Sequence, residues 1–385
     1  MCSAVAAELY ATDYVLFADF MVYHWRNRQY MKKVLFLLFL TLSVGVLSGC
    51  ENKSVKSVSG TGFYFDTIVS FTIYGTDDES IIDTLFTICE NGEYFFSVSQ
   101  NDGELYRLNK GESTTVDEWL YKCVYRAIYF SELLDGKYDI SIRPVSKLWD
   151  FRSGKGEVPD AEDIEKALDK VNYKDIKLEN KPIIDLGVSE DGTASTSMIP
   201  YYEIYLKEGM ELDLGSVAKG YICDEICNYL KEEGIESAVI SLGGNIQCLG
   251  GKLVGEDESE DFKVAVKSPF GGDYSEVLYV RDKAVVTSGI YERCFEKDDV
   301  LYHHILDATT GYPVQNNLAS VTIISDSGFN ADILSTVCFL AGYEETLKKY
   351  EQFSKYGDFE AEFIYKDGSV KRTSGFGIYE KNGNK

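Results

Sequence analysis

The run Leu212-Asp213-Leu214-Gly215-Ser216-Val217-Ala218-Lys219-Gly220-Tyr221 places a carboxylate, two glycines and a lysine where an apolar, strand-like segment gives way to the amphipathic stretch Ala218 to Leu230. Gly215 permits a tight turn, and the free N–H groups and positive end of the following helix converge near Lys219. That is anion-site chemistry, with phosphate as its natural guest. Lys219 precedes Gly220 instead of following it, which excludes a Walker A loop, and the glycine spacing is not the GxGxxG dinucleotide fingerprint. Without further context the same run is ordinary helix-start sequence. Asp332 and Thr336 stand i, i+4 on a predicted helix with Ser335 adjacent, so a carboxylate and a hydroxyl face one point a turn apart. Such hard oxygen donors suit Mg2+, which keeps waters and phosphate oxygens in its remaining positions. In isolation they read as a helix N-terminal charge and a packed hydroxyl. His303 and His304 are adjacent on a predicted strand and point to opposite faces, so only one of them can enter a given site.

Further segments lie downstream of the lysine run: Ser241-Leu-Gly-Gly-Asn245, Thr287-Ser-Gly-Ile-Tyr-Glu-Arg293, His303-His-Ile-Leu-Asp-Ala-Thr-Thr-Gly-Tyr-Pro313 and Ala331-Asp-Ile-Leu-Ser-Thr336. In this order and at these separations they resemble the ApbE family, the FAD:protein FMN transferases once described as thiamine-biosynthesis lipoproteins. The resemblance runs from about Thr61 to about Gly342 and includes the strand-like Phe65-Asp-Thr-Ile-Val-Ser-Phe-Thr-Ile-Tyr74.

The resemblance implies transfer of FMN from FAD to a threonine or serine hydroxyl of an acceptor flavoprotein, with Mg2+ as cofactor and AMP released. It assigns Asp213 to polar edges of the flavin and Lys219 to the pyrophosphate. Phe65, Tyr138, Asp139, Ile140 and Leu306 become FAD-lining positions, although the aromatics there equally suit a core. The metal falls to Asp332, Ser335, Thr336 and the Ser216 backbone carbonyl. His304 is the general base, and Asp307 orients it or holds substrate. Ser288 and Arg293 belong to the TSGxYxR segment, in which Ile290 and Cys294 depart from the commoner residues and Arg293 suits a structural role. Ala308 replaces the family's usual proline. Two other readings stay open: a metal-dependent FAD pyrophosphatase, with water in place of the hydroxyl, and a flavin-carrying lipoprotein without chemistry. A hard-cation site with a poised base counts against the second.

Met31-Lys32-Lys33, the apolar run Val34 to Leu47 and Ser48-Gly49-Cys50 have the parts of a bacterial lipoprotein signal, with translation starting at Met31, residues 1–30 upstream of it and lipid on Cys50. Residues 50–60 then read as a lipidated tether, and 61–380 as one catalytic domain on the extracytoplasmic face of the membrane. Its expected acceptors are flavoproteins of membrane or secreted redox systems. A formal net charge of −25 disfavours nucleic acid as a partner, so a dinucleotide substrate needs local cationic help. The cysteines lack the paired spacings of a disulfide scaffold or zinc site, and Cys223 and Cys227 read as buried helix thiols.

The elements that must position these groups follow from periodicity. Strands are predicted near Phe65 to Tyr74, Ala238 to Ser241, Lys263 to Val266, Ala284 to Thr287, Val321 to Ile324 and Glu362 to Tyr365. Helices are predicted over Ser80 to Phe96, Glu118 to Leu134, Ala161 to Lys170, Ala218 to Glu233 and Asn330 to Leu340. The mixture predicts an α+β fold of largely antiparallel sheets backed by helices, and the family resemblance implies a T-fold-like arrangement. Gly187 to Tyr202 and Leu253 to Asp261 read as surface excursions, the acidic Glu256 to Asp261 being a solvated loop.

Overall fold

The computed structural model describes residues 55–151, 156–188, 194–255, 258–272 and 274–380, all within one unit, Val55–Lys385. The signal segment and Cys50 lie outside the described residues. In chain order the hairpin β1 (Ser57–Tyr64) and β2 (Thr67–Tyr74) precedes α1 (Ser80–Phe96), α2 (Glu104–Asn109), β3 (Thr115–Val116), α3 (Glu118–Leu133), α4 (Arg143–Trp149) and α5 (Ala161–Leu168). A ribbon of β4 (Lys177–Val188) and β5 (Ala194–Tyr205) leads to α6 (Ala218–Glu232), β6 (Ala238–Leu242), β7 (Asn245–Leu249), β8 (Lys252–Leu253), β9 (Ser259–Glu260), β10 (Phe262–Val266) and β11 (Glu276–Val280). Then come β12 (Ala284–Gly289), β13 (Cys294–Lys297), β14 (Val300–His303), β15 (Leu306–Asp307), β16 (Tyr312–Pro313), β17 (Leu318–Ser325), α7 (Gly328–Lys348), α8 (Tyr350–Phe353), β18 (Phe359–Tyr365) and β19 (Val370–Arg372).

Eight strands form one antiparallel sheet in the order β1-β2-β6-β7-β12-β17-β18-β19. β17 is buried along its whole length, so its run Leu318-Ala-Ser-Val-Thr-Ile-Ile-Ser325 shows no alternation. On one face, α7 packs over β12 and β17, crosses α6, and α6 meets α1. On the other, β10 and β11 supply Phe262, Val264, Leu278 and Val280 to a smaller core with Val285, Ile324 and Phe376. This is the expected α+β architecture, open-sheeted and largely antiparallel.

Four expectations change. Phe65 does not begin a strand: Phe65 and Asp66 both have positive φ, 55° and 57°, and form the two-residue turn between β1 and β2. Paired positive φ values are what a tight hairpin of right-twisted strands needs. Ser57 to Gly60, read as tether, pair with Tyr74 to Phe71 as the start of β1, because Val58 reaches the core. Most of Gly187 to Tyr202 lies in the β4–β5 ribbon instead of a loop, with residues 189–193 outside the described ones. Polar residues dominate that segment, so it gives no period-2 hydrophobic signal. Similarly, Leu253 and Ser259 pair across β8 and β9 within the second excursion.

Candidate active site

α6 and α7 cross where each helix begins. A Cβ built on Gly220 would lie 2.1 Å from the Gly328 carbonyl oxygen, and one on Gly328 would lie 2.9 Å from the Gly220 oxygen, so only hydrogen fits at either position. The crossing sets Asp332 against the first turn of α6. Its Oδ2 accepts the Gly220 N–H at 2.9 Å. That N–H belongs to the first turn of α6, which has no intrahelical acceptor for it, so Asp332 caps it. The Ser216 carbonyl, just ahead of the helix, makes no hydrogen bond among the described residues. Asp332 is buried, 4 % exposed, and its Oδ1 has no hydrogen-bond donor among them either. Tyr138 Oη lies 3.0 Å from Ser216 Oγ and fixes that residue from the far side, burial raising the phenol pKa.

Hydroxyls complete the cluster. Ser288, at the end of β12, lies 2.7 Å from Ser335 Oγ and 3.5 Å from Thr336 Oγ1. Ser335 also donates to the Asp332 carbonyl at 2.8 Å and is fully buried, so Thr336, half-buried, is the hydroxyl left for a ligand. One free carboxylate oxygen, one free carbonyl and one hydroxyl are a hard-oxygen set that fits a small divalent cation. Among the described residues no group of three His, Cys, Asp or Glu side chains could hold a metal, which leaves this mixed set as the candidate.

Lys219 stands at the mouth of the same turn. Its Nζ is 3.4 Å from the Gly215 carbonyl, and it has no ion-pair partner among the described residues. It acts electrostatically on His304 and Glu292, the latter also within reach of Arg293, Lys267 and Asp332. His304 follows the last residue of β14 and hangs on the Arg293 carbonyl through its backbone N–H at 3.0 Å. Burial, then Arg293, His303 and Lys219, push its imidazole down to about 3, so it is neutral near pH 7. Its Nδ1 is buried and unpartnered. His303 is 2 % exposed, lies edge-on to Phe339 of α7 at 6.0 Å, and is pushed down to about 4, chiefly by burial. The two histidines thus occupy different environments, one in the core and one among the site's cations.

Other predicted residues have structural partners. Asp139 spends its carboxylate on structure: Oδ1 takes the Ser141 N–H and Oγ–H, and Oδ2 takes the Tyr173 N–H at 2.7 Å. Ile140 is in the main core and Leu306 in a small one with Trp149, Val145 and Ile164. Asp307 builds its own turn, accepting from Thr309 N and Oγ1, and makes no hydrogen bond to His304 among the described residues. Ala308 donates its N–H to the Lys137 carbonyl at 3.0 Å, a bond that proline could not make. Asp213 accepts the Gly215 N–H at 3.0 Å and Ser146 Oγ–H at 3.2 Å, with Arg143 at 3.9 Å, and so shapes the turn that presents Ser216 and Lys219. Phe65 packs on the core near Gly92 and Ile222, beside α6. Sequence reading missed Asp224, Tyr138's bond to Ser216 and the Gly220–Gly328 contact. The repeated pattern Gly-aromatic-x-x-Asp, Gly220 to Asp224 and Gly328 to Asp332, was the available signal.

The family model for the ApbE family matches residues 65–361, which span the helix crossing, the hydroxyl cluster and the histidine strand. The chain belongs to the ApbE family. It is 31 % identical over 353 residues to the FAD:protein FMN transferase of Treponema pallidum, covering 88 % of this chain and 92 % of that one. With the Klebsiella pneumoniae FAD:protein FMN transferase it shares 31 % over 299 residues, 76 % of this chain and 84 % of that one. The fold matches the crystal structure of the ApbE protein from Thermotoga maritima with a TM-score of 0.70 at 28 % identity, covering 85 % of this chain and all of that one. The flavin transferase ApbE from Vibrio cholerae has the same fold, with a TM-score of 0.66 at 24 % identity over 84 % of this chain and 99 % of that one.

Proposed function

We propose that this chain transfers the FMN moiety of FAD to a threonine or serine hydroxyl of an acceptor protein, with Mg2+ and with release of AMP. The observation that carries the reading is the oxygen set at the α6–α7 crossing, Asp332 Oδ1 and the Ser216 carbonyl, both without a hydrogen bond among the described residues, and Thr336 Oγ1, beside Lys219, which has no ion-pair partner among them, and the neutral His304. In the reaction the acceptor oxygen bonds to the FMN-side phosphorus while the pyrophosphate P–O bond breaks, and its electron pair leaves on AMP. Asp332, Thr336 and the Ser216 carbonyl would hold the Mg2+, whose chemistry is to neutralise pyrophosphate charge. Lys219 shares that charge at the helix start. His304 accepts the hydroxyl proton, which its neutral imidazole can do. Supporting the reading are the names of the curated relatives and the similarity over most of the chain.

Incubating the protein with FAD, Mg2+ and a peptide bearing an acceptor threonine tests this by mass spectrometry. Peptide carrying FMN with free AMP supports transfer. Free FMN and AMP with unmodified peptide would make it a pyrophosphatase, and intact FAD a carrier. The Leu47-Ser48-Gly49-Cys50 pattern supports a lipid anchor on the outer face of the membrane, among acceptor flavoproteins of membrane or secreted redox systems. Cys50→Ser should release an active protein from the membrane fraction, and an unlipidated wild-type N-terminal peptide would sink the anchor.

A further inference from the structure

We infer that Asp224 is a positioning residue for the transfer site, half of a reciprocal clasp that fixes where Asp332 stands. The inference rests on the metal reading given above. Asp224 lies on α6, yet all three of its hydrogen bonds go to the start of α7. Its Oδ1 accepts the Gly328 N–H at 2.7 Å, and its Oδ2 accepts the Ser327 Oγ–H at 2.6 Å and the Phe329 N–H at 3.1 Å. Asp332 does the converse, reaching from α7 to the Gly220 N–H of α6. Each carboxylate is four residues beyond the glycine of its own helix, and each accepts the N–H of the other helix's glycine. The residues after the glycines also meet, Tyr221 and Phe329 packing edge-to-face with ring centroids 5.0 Å apart.

The sequence carries this as one pattern used twice, Gly220-Tyr-Ile-Cys-Asp224 and Gly328-Phe-Asn-Ala-Asp332. The two halves differ in how fully they are used. Asp224 has both oxygens engaged by three donors, whereas Asp332 has one oxygen engaged and one free. Asp224 is therefore the clamp, and Asp332 combines a clamp with a ligand. A carboxylate that satisfies helix-end N–H groups also holds the helix in place. Arg126, seated 4.4 Å over Phe329 and 3.9 Å over Tyr356, braces the same end. Loosening Asp224 should let α7 shift on α6 and separate Asp332 Oδ1 from the Ser216 carbonyl, while Asp224 itself bonds none of the positions assigned to flavin.

The test measures Mn2+ binding to the FAD-loaded protein by electron paramagnetic resonance, for wild type, Asp224→Asn, Asp224→Ala and Ser327→Ala. FAD affinity and melting temperature are recorded on the same samples. Asp224→Asn, which keeps one acceptor oxygen, is expected to bind FAD within about twofold of wild type while its Mn2+ dissociation constant rises about tenfold. Asp224→Ala should be worse, and Ser327→Ala, which removes one donor of three, should change the constant less than threefold. If Asp224→Ala does not fold, Asp224→Asn alone decides. An unchanged Mn2+ constant in Asp224→Asn, with only a lower melting temperature, overturns the inference. Wild-type protein that binds FAD but takes up no Mn2+ overturns the metal reading, and this inference with it.

Discussion

His304 owes its low proton affinity to burial first and to Arg293, His303 and Lys219 after that. An anionic pyrophosphate placed among those cations would cancel part of their effect and strengthen the base when substrate is bound. The expected pH profiles differ accordingly: kcat/KM, which reports the free enzyme, should show no acid limb near 6.5, and the limb in kcat should lie at higher pH than that in kcat/KM. A limb near 6.5 in kcat/KM would mean that the imidazole is not shielded as described. His304→Ala should still bind FAD but slow single-turnover transfer by roughly two to four orders of magnitude. His303→Ala should instead lower stability by about 1–3 kcal/mol, because it empties a buried site against Phe339, and should leave transfer by the folded protein largely intact. A dead His303→Ala with normal melting would reverse the assignment. At the metal set, Asp332→Ala should abolish Mg2+-dependent transfer, whereas Thr336→Ala should cost less, water being able to replace a neutral hydroxyl. Transfer that survives EDTA would remove the metal from the mechanism.

The helix crossing is the element on which these residues depend, and Gly220 is its tightest point. Gly220→Ala must push a methyl against the Gly328 carbonyl and the Asp332 Cβ, both of which belong to the packed interior. A loss of about 3 kcal/mol in urea unfolding is expected, together with weaker Mn2+ uptake by the fraction that remains folded. Stability within about 0.5 kcal/mol of wild type would show that the helices have room to separate. The longer helices were legible, whereas the short α2, α4 and α8 were not: the 3.6-residue period places Ser80–Phe96 at its observed bounds and α6 within a residue of its end. Asn330 to Leu340 falls inside α7, which turns sharply at Gly342 with φ 74°. What periodicity does not carry is partnership. The Asp224 to Gly328 bond spans 104 positions, and the repeated Gly-aromatic-x-x-Asp pattern marks its two ends without saying that they meet. The sequence placed Asp332 and Thr336 on one helix, and both lie on α7. Asp139 and Asp307 came from the family resemblance, and no sequence sign shows that Asp139 gives both carboxylate oxygens, and Asp307 one, to local turns.

Across the whole molecule, a chain with a net charge of −25 buries several of its carboxylates, and the direction of their shifts sets how stability depends on pH. Glu276 is pushed up to about 8, first by burial and then by Glu362, both facing the single guanidinium of Arg372. Glu104 is raised to about 7 by burial. An acid that holds its proton in the fold but loses it when unfolded makes the fold less stable as pH rises, from its unfolded pKa near 4.5 up to its folded value. His303 and His304 work in the opposite sense, because they are neutral in the fold down to about pH 4 and about pH 3 but charge near 6.5 when unfolded, so they remove stability as pH falls below 6.5. The two slopes oppose each other below pH 6.5, and above it only the carboxyl slope remains. Stability should therefore peak in mildly acidic solution and fall between pH 6.5 and 8, with Glu276 contributing at most about 2 kcal/mol of that loss. Glu276→Gln, a neutral stand-in for the protonated acid, should flatten the decline while leaving the loss below pH 6 in place. Urea unfolding of both proteins at pH 5, 6.5 and 8 measures this directly. Parallel curves for wild type and Glu276→Gln between pH 6.5 and 8 would show that the Glu276 carboxyl is already ionised in the folded protein.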